Sequence, residues 1–197
     1  MLSFKLIKEQ IFKSLPIVFL YFFSFYHFQI PEVGKINLFA FNFQMILIYF
    51  YVLKFPENLG FGNIFLAGLI NDTVIGIPLG TTSLSYLTLA LFTTYIRNAT
   101  LRSVMTAEWF TFIPALFFSN LIYLLVINNF SNVSFYYIEL LQNTFFTFLF
   151  FPIFYYIFSH YQKLISRNYC LILTLQTLLA QPEPLVGECF YLNLLKQ

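Results

Sequence analysis

The sequence predicts an all-α integral membrane protein of about six transmembrane helices, with both termini cytoplasmic. Three observations predict it. Of the 197 residues, 59% are hydrophobic and only 9% charged, where a soluble domain carries roughly 25% charge; so much apolar surface asks for lipid as its solvent. The apolar residues fall into runs of the order needed to cross a bilayer core about 30 Å thick at about 1.5 Å per residue. The basic residues between those runs collect in alternate loops, the pattern that fixes orientation.

The first predicted helix covers about Leu15 to Ile30. Lys5, Lys8 and Lys13 precede it as they would in a signal peptide, but the run is long and aromatic and no small-residue cleavage site follows, so it is read as a retained helix. The second runs from Ile36 to Leu53, between Glu32/Lys35 and Lys54/Glu57. The third, Gly60 to Ile77, is short and interrupted by Asn63, Gly68, Asn71, Asp72 and Gly76. The fourth covers Ser83 to Ile96, the fifth Ala107 to Ile127 with Pro114 inside, and the sixth Phe135 to Phe158 with Pro152 inside. Such prolines mark kinks, tolerated where a neighbour re-satisfies the carbonyl they free. Residues 1–167 then form one polytopic membrane domain, and residues 168–197 a cytoplasmic tail. The tail holds only Phe190 of 29 phenylalanines, together with Cys170, Cys189, Pro182 and Pro184; it is either a peripheral amphipathic segment or an extension without fixed structure.

With the N-terminus inside, Lys5, Lys8, Lys13, Lys54, Arg97, Arg102, Lys163 and Arg167 are cytoplasmic, and the outer loops hold only Lys35. A net charge of +2 from scattered basic residues lacks the footprint of a nucleic-acid binder. Neither cysteine belongs to a Cys-x-x-Cys pair, and no histidine stands at ligand spacing, so no metal or cofactor site is expected. General acid–base work needs a second titratable group nearby. His27, Glu108 and Glu139 read as singletons near helix ends, and the chain is expected not to be an enzyme.

The cluster that stands out is Gly68-Leu69-Ile70-Asn71-Asp72-Thr73-Val74-Ile75-Gly76-Ile77-Pro78-Leu79-Gly80, which sets a carboxylate inside an apolar segment. A charge there costs about 2.5–3.5 kcal/mol on insertion scales, so Asp72 needs a hydrogen-bond donor, a counter-charge or a proton. Spacings of four put Gly68, Asp72 and Gly76 on one helical face, which another helix can approach closely. Pro78 disfavours helix at Ile77, so the helix ends near Gly76 and Gly80 closes a tight outer turn over the buried acid. Asp72 is either a polar rivet bonded to Asn71, Thr73 or the hydroxyls of Thr81, Thr82, Ser83 and Ser85, or a docking point for a partner helix. Arg97 and Arg102, with Glu108 and Trp109, read as topology signals and an interfacial anchor, or as a cytoplasmic contact site.

The run Gly68-Leu69-x-x-Asp72, then Pro78-Leu79-Gly80, then an aliphatic helix, Tyr95-x-Arg97 and Trp109, resembles the bacterial rod shape-determining protein MreD family. The resemblance covers roughly Leu15 to Lys163, its specific part is Gly68 to Trp109, and the tail has no counterpart in it. It implies a non-enzymatic scaffold of the cell-elongation machinery in the bacterial inner (plasma) membrane, associating with an MreC-like membrane protein, an MreB-type filament and the elongation synthase. The family's similarity in fold to the substrate-binding membrane subunits of vitamin transporters supplies the alternative. A transporter would present a pocket of convergent polar groups; the short, nearly chargeless outer loops offer little to form a lid.

Overall fold

The structure is a computed structural model that describes residues 2–25, 41–99, 105–130 and 137–179, with side chains for 14–25, 41–99, 105–130 and 138–163. Its elements are α1 (Leu2–Phe25), α2 (Phe43–Lys54), a 3-10 turn (Pro56–Asn58), α3 (Phe61–Ile75), α4 (Thr81–Ala99), α5 (Met105–Phe130) and α6 (Tyr137–Leu179). Among the described residues there is no strand. His27, Glu32, Lys35, Arg102 and Cys189 lie outside the described residues, as do the side chains of Lys5, Lys8, Lys13, Arg167 and Cys170.

Two helices outrun their apolar cores. α1 begins at Leu2 and not at Leu15, and α6 continues beyond Phe158 to Leu179. The reason is that hydropathy ends at a charge whereas helix propensity does not: Lys, Glu, Gln and Leu are all strong helix formers. No Gly or Pro intervenes between Pro152 and Pro182. α2 starts where the Asn42 side chain accepts the Met45 N–H at 3.2 Å, an N-cap.

The chain divides into two compact units, Met1–Pro152 and Ile153–Gln197. In the first, α4 is the interior helix, packing against α2, α3 and α5, while α1 lies on α2 and α3. The 2.5 Å ion pair of Lys54 with Glu108 sets the end of α2 beside the start of α5. In the second unit the helix from Ile153 carries the ring contacts Phe154–Phe158 and Tyr156–His160.

Burial in the first unit mixes polar with apolar side chains: residues 45–52, Tyr86, Leu89 and Phe112 are buried, and small polar residues share the interior with them. Ser24, Gln44, Asp72, Ser83, Ser85, Thr93 and Ser119 are buried, while Phe110, Phe117, Leu125 and Phe145 point outward. Small hydroxyl residues let helices approach closely, and large apolar side chains are cheapest facing hydrocarbon. Two helices, Met105–Phe130 and Ile138–Lys163, are long and apolar enough to cross a membrane. Phe43–Lys54 and Phe61–Ile75 are apolar but shorter, about 18 and 22 Å at 1.5 Å per residue.

Candidate functional site

The turn from α3 to α4 is built around Asp72, which is fully buried. Its backbone and side chain serve opposite ends of the turn. The backbone carbonyl accepts the N–H of Gly76 at 3.0 Å and of Ile77 at 3.2 Å, which closes α3. Gly76 caps α3 with φ 77°, a left-handed conformation that suits glycine. A side chain added at Gly76 would meet nothing of this chain within 4 Å, so within the chain this glycine acts through its backbone. Gly80 also has positive φ, 97°, and Leu79 between the two is exposed.

The carboxylate then opens α4. The N–H of Gly80 donates to Oδ2 at 2.7 Å and the N–H of Thr82 to Oδ1 at 2.9 Å, while the Thr82 hydroxyl contacts Oδ1 as well as the Gly68 carbonyl at 2.8 Å. These are first-turn N–H groups with no intrahelical partner, and the positive end of the helix dipole lies at the same place. The expectation of hydroxyl donors from the fourth helix holds for Thr82. The two backbone donors went unforeseen, although Gly80-Thr81-Thr82 directly after a turn proline is the place where a helix N-terminus exposes them.

Gly68 is the crossing point. A Cβ there would lie 2.4 Å from Ser83 Cα and 2.7 Å from Ser83 N, so only glycine lets the α3 and α4 backbones meet. The hydroxyls of this face are engaged within the chain: Thr81 donates to Pro78 O at 2.6 Å, Ser83 to Phe65 O at 3.1 Å, and Ser85 shares a 2.7 Å bond with Ser119 on α5. A second polar group ties α1, α2 and α4 together. The Gln44 amide donates to Ser24 Oγ at 2.7 Å, and the Tyr86 hydroxyl bonds to Gln44 Oε1.

At the opposite end of α4, Arg97 lies in the last turn. Glu108 is no singleton, because Lys54 reaches it across 54 positions of sequence; nearby, Tyr49 donates to the Glu108 carbonyl at 3.0 Å. Trp109 does more than mark an interface. Its indole N–H donates to Phe148 O at 3.1 Å and its ring stacks on Phe148. Phe148 O is the carbonyl that Pro152, four residues on and without an N–H, leaves unbonded, so Trp109 supplies the donor that the proline withholds. Glu139 is exposed in the first turn of α6. Among the described residues no group of three His, Cys, Asp or Glu side chains is placed to hold a metal. Comparison of the chain with protein-family models, with curated proteins and with solved structures finds no match.

Proposed function

We propose that the chain is a multi-pass inner-membrane scaffold subunit of the bacterial cell-elongation machinery, with six transmembrane helices and cytoplasmic termini, and that it docks an MreC-like protein and the elongation synthase through its helices. The observation that carries this reading is the state of the polar groups around Asp72. The acid and the hydroxyls of Thr81, Thr82, Ser83 and Ser85, which would have to converge on a ligand in a transporter, are bonded to α3, α4 and α5 of the same chain. Groups so engaged brace a bundle, and a braced bundle with outward Phe and Leu side chains suits binding through packing. The orientation is supported by the pairing of Lys54 with Glu108, which sets the cytoplasmic end of α2 beside that of α5, with the Pro78–Gly80 turn at the far end of α3. The resemblance of Gly68-Leu69-x-x-Asp72, Pro78-Leu79-Gly80 and Arg97 to the MreD family names the machinery.

Affinity purification from a rod-shaped host, combined with depletion, tests the proposal. The expected result is recovery of an MreC-like protein and rounding of depleted cells. Recovery of an ATPase module with a tightly bound vitamin would replace the scaffold by a transporter subunit.

A further inference from the structure

We draw no further inference here: the strongest candidate, the apolar groove between α4 and α5 lined by Thr88, Leu91, Phe92, Tyr95 and Phe118, is an unpartnered face, and nothing in the structure shows what covers it.

Discussion

Asp72 holds two backbone N–H groups with two oxygens, and that count ranks its substitutions. Asparagine offers one oxygen for the N–H groups of Gly80 and Thr82, so Asp72→Asn leaves a buried donor unsatisfied, at a cost of about 1–3 kcal/mol. Leucine leaves both, so thermal unfolding in detergent should rank wild type above Asp72→Asn and Asp72→Asn above Asp72→Leu; Asp72→Leu matching wild type would remove the cap. The glycines divide by mechanism. Gly68→Ala drives a methyl into the Ser83 backbone and should be the most damaging, while Gly76→Ala has space but a positive φ, worth about 1–2 kcal/mol. Gly62→Ala has open space inside α3 and should be neutral or stabilising by up to about 1 kcal/mol. Much of this turn was legible in the sequence, since Gly76, Pro78 and Gly80 act through their own backbones and Asp72 finds its donors within ten positions.

At the scale of elements, what the sequence withheld is what joins distant helices. Lys54 and Glu108 read as a topology charge and a stray acid, and Trp109 as a headgroup anchor, because partners 54 and 39 positions away leave no local pattern. Each contact makes a testable cycle. Lys54→Met removes the ion-pair partner of a largely buried carboxylate, so adding Glu108→Leu should recover part of the loss; a double variant worse than the sum of the singles would argue against direct pairing. Trp109→Phe keeps a ring against Phe148 but removes the donor to its carbonyl, and Pro152→Ala restores an N–H four residues on. The Trp109→Phe penalty in melting temperature should therefore shrink in a Pro152→Ala background, and an unchanged penalty would mean that the indole bond is incidental.

For the whole molecule, sidedness follows from the basic residues and is measurable with a membrane-impermeant thiol reagent. In a Cys170→Ser/Cys189→Ser chain, Asn132→Cys should label from the periplasm and Lys54→Cys should not; the reverse pattern overturns the orientation. The helix ends beyond the apolar runs were illegible because hydropathy registers solvent preference and not backbone conformation, as residues 2–14 and 159–179 illustrate. The double use of Asp72 also bears on how the chain is made. Until residues 80–82 have left the ribosome, the carboxylate has none of the N–H groups it holds in the finished fold. α3, about 22 Å long at 1.5 Å per residue, is also short for a bilayer. On the proposed six-helix topology it is expected to wait for its successor, so that α3 and α4 enter lipid as a hairpin. Without the native cysteines, a nascent chain exposed as far as Ile77 should leave Ala67→Cys open to a membrane-impermeant thiol reagent, and one exposed beyond Ala99 should shield it.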